Sequence, residues 1–383
     1  MKIAYIVQNY QAATELWLQR QIEILQEDIV FIAATDNKER FWNNRIPIVN
    51  LYSEYPFIKK LAIKLKILRK RTSRERNNEI LLKKSRHKVD VLFINYLTMA
   101  YRLRDALSQI DVPIIIHTHG YDITWDLVSV DSGERMYDEE YLNFVREISS
   151  RALMVANSNE SKKRLIALGV PDSRIVIKYF GVSLEINDIA AKDVNFVRIL
   201  YIGRLVDCKA PDLVIQAFEQ ACDKGLRGEL IIAGDGPLAI TCRLLQKRSK
   251  YSDRIKLLGL VSAEDGRKLR KECDIFTAHN CRGPLTNQLE AFGVSIIEAM
   301  AAGLPVVTGR SGGVIDSVVD GETGFLFTPG DISEHADMLL QLALNAELRR
   351  SMGDKGRSRV KNKFSIELEK ESLINLLKMT EGD

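Results

Sequence analysis

The chain has 383 residues, with 55 Lys and Arg against 51 Asp and Glu. That length exceeds one typical core and predicts two domains, and a net charge of +4 is too small to imply nucleic acid by itself. Met1 to Val7 runs straight into a polar loop without a signal-peptide pattern, and no apolar run approaches the ~18 residues of a membrane span. The five cysteines are odd in number and show no C-x-x-C spacing. They disfavour a disulfide framework or zinc site and fit a reducing, cytoplasmic setting.

In chain order, short apolar runs alternate with helical patterns. Ile3–Val7, Val30–Ala34, Ile48–Leu51, Val89–Ile94, Pro113–His117, Leu153–Asn157 and Ile175–Tyr179 read as strands. Between the first two, Thr14–Leu25 places Leu18, Ile22 and Leu25 on one face behind a Thr14 cap. After a polar stretch without strong period, the alternation restarts with Arg198–Ile202, Leu230–Ala233, Ile255–Leu258, Asp274–Ala278 and Pro305–Thr308. Helices are expected from Pro211, after Pro237, from Ser262 and over Ser365–Met379. This is the grammar of parallel sheets covered by helices on both faces. The expected fold is α/β: two doubly wound, Rossmann-like domains facing a cleft. The domains are placed at 1–184 and 196–364, with a linker at 185–195 and a C-terminal helix over 365–383 that crosses back to the first domain. Ligands in such sheets bind at the carboxyl ends of the strands.

Phe57–Lys88 departs from this regularity. It carries thirteen Lys and Arg against Glu75 and Glu79, and Phe57, Leu61, Leu65 and Leu68 make an apolar face in its first part. A basic amphipathic helix of this kind suits an anionic membrane surface; the alternative is a helix packed on its own sheet with a solvated basic face.

The residues suited to chemistry cluster in the second half. Arg204 and Lys209 fall in the loop after a strand, before the helix that Pro211 opens, where two cations fit a diphosphate leaving group; solvated surface charges are the bland alternative. Gly234 and Gly236 end a strand, permitting close backbone approach or a tight turn. Leu257–Ser262 follows the same plan with a Ser262 cap. Glu290 lies in a loop, Phe292-Gly293 at a turn, and Glu298 in the next helix. Free N–H groups at that helix's N-terminus favour an anion, with carboxylates on either side for sugar hydroxyls. Ser295 to Glu298 also fits a capping box, which would account for Glu298 without a ligand. In the first half, His117, His119 and Asp122 end a strand. A zinc reading lacks a third ligand at sensible spacing; His119 at the cleft edge, against a substrate hydroxyl or in a structural hydrogen bond, fits better.

Six motifs stand in order: G-R-L-x-x-x-K at Gly203–Lys209, A-G-D-G-P at Ala233–Pro237 and L-G-x-V at Leu258–Val261, then E-x-F-G-x-x-x-x-E at Glu290–Glu298, A-x-G-x-P-V-V at Ala301–Val307 and D-G-x-T-G-F-L at Asp320–Leu326. With T-H-G-x-D around His119, the chain resembles the GT-B retaining glycosyltransferases of family four, and more loosely those of colanic acid or amylovoran assembly. The resemblance covers nearly all of residues 198–365 and, in the first half, little beyond fold grammar.

The resemblance implies a transferase that moves a sugar from a UDP- or GDP-sugar to a saccharide or lipid-linked acceptor, at the inner membrane face, in cell-surface polysaccharide or glycolipid synthesis. It implies no cofactor and no metal. Arg204 and Lys209 would neutralise the diphosphate, Glu290 and the Phe292-Gly293-Val294 backbone would hold the donor sugar, and Glu298 the ribose. Gly234 and the loop at Val261 would meet the nucleotide, and His119 would sit beside the donor sugar. Three departures stand out: Gln8–Thr14 has no glycine, Ala291 stands where glycine is frequent, and Val314-Ile-Asp316 replaces x-P-E. A non-catalytic sugar-nucleotide-binding partner subunit is the competing reading, which loss of Arg204, Lys209, Glu290 or His119 would have favoured.

Overall fold

The computed structural model describes residues 1–10, 15–35, 39–51, 71–86, 88–184 and 196–380. Its first half is an eight-stranded sheet of β1 (Ile3–Val7), β2 (Ile29–Ala34), β3 (Phe41–Trp42), β4 (Ile46–Asn50), β5 (Val91–Asn95), β6 (Ile114–His117), β7 (Ala152–Ala156) and β8 (Ile175–Ile177). Their order is β3-β4-β2-β1-β5-β6-β7-β8, parallel except for the short β3–β4 pair. The second half is a six-stranded parallel sheet of β9 (Val197–Ile202), β10 (Gly228–Ala233), β11 (Ile255–Gly259), β12 (Ile275–Ala278), β13 (Val306–Gly309) and β14 (Gly324–Phe327). Its order is β11-β10-β9-β12-β13-β14.

The central strands are near-continuous apolar runs because helices cover both of their faces. Every residue of β1, β5, β6 and β7 is buried. In both sheets the strand order reverses beside the first strand, between β1 and β5 and between β9 and β12. Loops leaving those strands diverge and open a crevice, the switch point where ligands of such sheets bind.

Several expectations meet the structure directly. Ser262 caps the helix Ala263–Glu272 by accepting from the Asp265 N–H at 3.0 Å. Pro211 stands at the first turn of the helix Pro211–Asp223, where its missing N–H costs nothing. The last helix, Ile366–Lys378, does cross back to the first sheet: the Val182 N–H donates to the Phe364 carbonyl at 2.9 Å, and Lys178 pairs with Glu369 at 2.5 Å. Both charged groups are fully buried, and Glu369 also accepts from the Gly181 N–H at 2.9 Å.

The capping box at Ser295 is corrected. The helix begins at Val294, its N-cap is Gly293 at φ 87°, and no side chain caps it. Gly293 takes the left-handed conformation that ends the preceding turn, which leaves Ser295 and Glu298 inside the helix. The first helix runs Leu16–Leu25, and the expected Thr14 cap and the linker 185–195 lie outside the described residues. Of the basic segment, Phe57 to Lys70 likewise lies outside them. Its later part forms the helix Ser73–Ser85, with a Thr72–Glu75 capping box and Asn77, Asn78, Leu81 and Ser85 buried. Arg74 pairs with Asp105, and Arg71 with Glu79. This part is a helix packed on its own domain. Among the described residues no helix is long and apolar enough to cross a membrane.

Candidate functional site

The C-terminal wall of the crevice starts from the loop between β9 and the helix Pro211–Asp223. The Tyr201 hydroxyl donates to the Arg204 carbonyl at 2.8 Å, and the Leu205 N–H to the Asp235 carbonyl at 2.9 Å. Gly234 and Gly236, at φ 150° and 154°, are glycine because a Cβ would strike the Gly203 and Leu205 carbonyl oxygens. They let two loops lie backbone to backbone. Gly234 also lines a cavity of about 340 Å³ with Asp235, Leu257, Gly259, Arg243 and Lys247, open at the ends of β10 and β11. Val261 follows in the loop before Ser262 and is not among the lining residues.

Lys209 bonds Glu290 at 2.8 Å, both mostly buried. The other Glu290 oxygen accepts from the Gly293 N–H at 3.1 Å and the Phe292 N–H at 3.4 Å. Burial works against the Glu290 charge, but the Lys209 ammonium, Arg204 and the Phe292 N–H outweigh it and hold the carboxyl below its usual range. Glu290 is thus an anion, folded over the N-terminus of the helix Val294–Ala301, and the Gly293 N–H is already engaged by it. Phe292 is buried, stacked on Tyr179 at 5.6 Å, so its side chain braces this turn. Glu298 lies farther along the helix, paired with Arg270 at 3.2 Å. Arg204 is exposed.

The N-terminal wall is aromatic. His119 follows β6 and stacks on Trp17 at 4.2 Å, with Tyr96 and His117 rings each 4.3 Å away. His119 Nε2 meets Asn95 Oδ1 at 3.1 Å, which fixes the proton on Nε2 and leaves Nδ1 a buried acceptor without a partner among the described residues. His117 Nδ1 accepts from the Gln21 amide at 3.3 Å, leaving its Nε2–H unmatched among them. Burial drives both imidazoles well below their ordinary pKa, and for His119 the Lys178 charge adds to it, so both are neutral. Asp122 is buried and wholly occupied by the N–H groups of Leu97, His119 and Gly120, each at 2.9 Å. It shapes the His119 turn. Among the described residues no group of three His, Cys, Asp or Glu is placed to hold a metal ion.

The two walls meet. A Cβ on Gly120 (φ 113°) would lie 2.7 Å from the Ala291 Cβ, so the methyl at position 291 fits only because position 120 has none. His119 and Glu290 are thereby neighbours of one interdomain contact. Motif reasoning missed other members of the site. Glu15 accepts from the Tyr96 hydroxyl at 2.5 Å. Burial raises the Glu15 carboxyl, while the Tyr96 bond and Arg204, facing it from the other domain, pull it down. Tyr96 itself holds φ 75°, a conformation that costs a bulky residue about 1–3 kcal/mol and that clusters at functional sites. Asp316, whose role the x-P-E departure left open, clasps the first domain: it accepts from the Asn159 N–H at 2.7 Å and from the Tyr179 hydroxyl at 3.3 Å. No local sequence signal marks Glu15 or Tyr96, because they meet only when the start of the first helix and the end of β5 are brought together.

Residues 183–359 match the family model described as glycosyl transferases group 1. Among curated proteins, the chain is 34% identical over 194 residues to the capsular polysaccharide biosynthesis glycosyltransferase CapM of Staphylococcus aureus, covering 49% of this chain and 48% of that one. It is 31% identical over 169 residues to N-acetyl-alpha-D-glucosaminyl L-malate synthase of Bacillus anthracis, covering 44% and 42%. The chain thus spans less than half the length of either relative it matches. Among solved structures, Anabaena HepE in complex with UDP superposes with a TM-score of 0.78 at 20% identity, over 99% of this chain and 100% of that one. The architecture is GT-B: two Rossmann-like parallel sheets with alternating helices, facing each other.

Proposed function

We propose that this protein is a retaining, metal-independent glycosyltransferase that moves a sugar from a UDP- or GDP-sugar to a saccharide or lipid-linked acceptor in cell-surface polysaccharide or glycolipid synthesis. The observation that carries the reading is the Lys209–Glu290 pair at 2.8 Å, set over a helix N-terminus at the β9/β12 switch point, with Arg204 exposed beside it and His119 brought up from the facing domain. The match to glycosyl transferases group 1 spans this whole wall, and the neighbouring fold of HepE is described with UDP bound.

In the proposed reaction the anomeric C–O bond to the diphosphate breaks and negative charge grows on the departing phosphate. Arg204 and Lys209 are fixed cations there, and preorganised charge acts most strongly on what develops in the transition state. The acceptor hydroxyl attacks C1 on the face the diphosphate leaves, and its proton passes to a phosphate oxygen. Glu290, held ionised, accepts from donor-sugar hydroxyls, and the neutral His119 offers its unmatched Nδ1 to another. The cavity at Gly234 takes the nucleoside, and Glu298 reaches its ribose by exchanging its bond to Arg270. The acceptor enters from the first domain, and an anionic membrane surface is the expected partner of the basic segment.

Calorimetry with UDP-, GDP-, ADP- and dTDP-sugars, with and without EDTA, tests the reading. Micromolar, EDTA-insensitive binding of one nucleotide class, followed by slow hydrolysis of that donor, is expected. Absence of binding across the panel would sink the donor site, and binding abolished by EDTA would remove metal independence.

A further inference from the structure

The segment from Arg282 to Leu289 joins β12 to Glu290 and touches three things at once. At its middle, Asp207, a buried carboxylate between Arg204 and Lys209 in sequence, accepts from the Leu285 N–H at 3.0 Å, the Thr286 N–H at 2.8 Å and the Thr286 hydroxyl at 2.9 Å. Asp207 also accepts from its neighbour's Cys208 N–H at 2.9 Å, so its lone pairs are engaged on both loops. A Cβ at Gly283 would fall 2.5 Å from the same carboxylate, and only glycine lets the segment lie this close.

The outer side of the segment rests on the first domain. The Thr286 carbonyl accepts from the Val128 N–H at 3.0 Å, the Asn287 amide donates to the Asp126 carbonyl at 2.9 Å, and Arg282 pairs with the Asp126 carboxylate. Asn287 holds φ 61°, a left-handed turn that aims the strap back toward Glu290. One residue, Thr286, is therefore bonded through its side chain to the cation loop and through its backbone to the facing domain. The circuit closes on itself, because the segment runs on into Glu290 and Glu290 holds Lys209.

We propose that residues 282–288 form a strap whose seating on Asp126–Val128 positions the Arg204–Lys209 loop through Thr286 and Asp207, so that the cations are set only when the two domains are in contact. Asp207 is then a positioning residue, acting through Arg204 and Lys209 rather than on substrate. The functional meaning rests on the donor site proposed above; the mechanical coupling does not. Such coupling would discourage hydrolysis of the donor in an open cleft, where water has access.

The test breaks the strap at its far end, where folding is not at stake. In the double variant Asp126→Ala, Asn287→Gly, both substitutions lie at partly exposed positions, and glycine keeps the left-handed turn while removing the amide. Hydrogen exchange is read at the Cys208, Lys209 and Ala210 amides, none of which the substitutions touch. The expected result is exchange about fivefold faster at these amides, with the melting temperature held within about 2 °C and a lower turnover on the bound donor. Thr286→Val, which puts a methyl in place of the hydroxyl and also frees the Gln288 N–H, gives the same change at the cation loop while Val128 stays protected. Faster exchange confined to 282–287, with the cation loop unchanged, overturns the coupling. If no sugar nucleotide binds the wild-type protein, the donor reading falls while the exchange result still decides the strap.

Discussion

Each domain holds a pair of buried neutral histidines, and the two pairs are built differently. In the C-terminal sheet the Gly330 N–H donates to His279 Nε2 at 2.9 Å, His279 Nδ1 faces His335 Nδ1 at 3.0 Å, and His335 Nε2 meets the Thr277 hydroxyl at 2.7 Å. That hydroxyl donates onward to the Val307 carbonyl at 3.1 Å. The direction of the first and last bonds fixes both tautomers, and every ring nitrogen has a partner. In the N-terminal sheet, His117 Nε2 and His119 Nδ1 have none among the described residues. Buried polar atoms are almost always matched, so a complete chain marks a structural pair, and two unmatched atoms set the other pair apart. That pair lies in the wall that meets Glu290, although no long motif there announces it.

The largest effect is expected where the open pair depends on a buried charge. Lys178 lies close enough to depress both N-terminal histidines, and among the described residues Glu369 from the last helix neutralises it. Glu369→Ala leaves a buried ammonium unpaired and should cost roughly 3–5 kcal/mol in urea unfolding, with Glu369→Gln costing less. His119→Ala should lower turnover roughly hundredfold while the melting temperature moves little. Thr277→Val should do the reverse: it strands the His335 Nε2–H, costs about 1–3 kcal/mol of stability, and leaves donor affinity unchanged.

Acid should separate the pairs less sharply, since burial lowers the pKa of all four rings, that of His279 to about 4. A histidine whose folded pKa is depressed takes a proton in the unfolded chain before the folded one. Its contribution is complete above the ordinary value near 6.5 and is lost as pH falls from there toward the folded value, about 4 for His279, at up to about 1.4 kcal/mol per pH unit and ring. Urea midpoints between pH 7 and 5 should fall accordingly, and His335→Leu should flatten that fall. The smallest effect is expected at Glu298. Its bond to Arg270 is partly exposed, so Glu298→Gln should change stability by less than about 1 kcal/mol while weakening donor binding severalfold.

The geometry of the C-terminal wall was legible because it is written in loops, where each motif carries its own backbone requirement. Gly293 at a helix start, Gly234 against a carbonyl and Lys209 six residues after a strand-ending glycine all follow from local geometry. The N-terminal wall was legible only at His119. Glu15 and Trp17 come from the start of the first helix and Tyr96 from the end of β5, and nothing in their local sequence predicts that they converge. Ser295 misled because Ser-x-x-Glu fits a cap wherever a helix starts nearby; the left-handed Gly293 won that position. Asp316 was legible as a departure from pattern, yet its partner Asn159 is 157 residues away.

The most direct measurement of the central claim is a paired one on His119→Ala: donor affinity by calorimetry and turnover by product formation, with the same sugar nucleotide. Affinity within about threefold of wild type and turnover reduced roughly hundredfold are expected, the signature of a group that acts on the transition state. Turnover equal to wild type would contradict it, and would make the open histidine pair of the first domain as structural as the closed pair of the second.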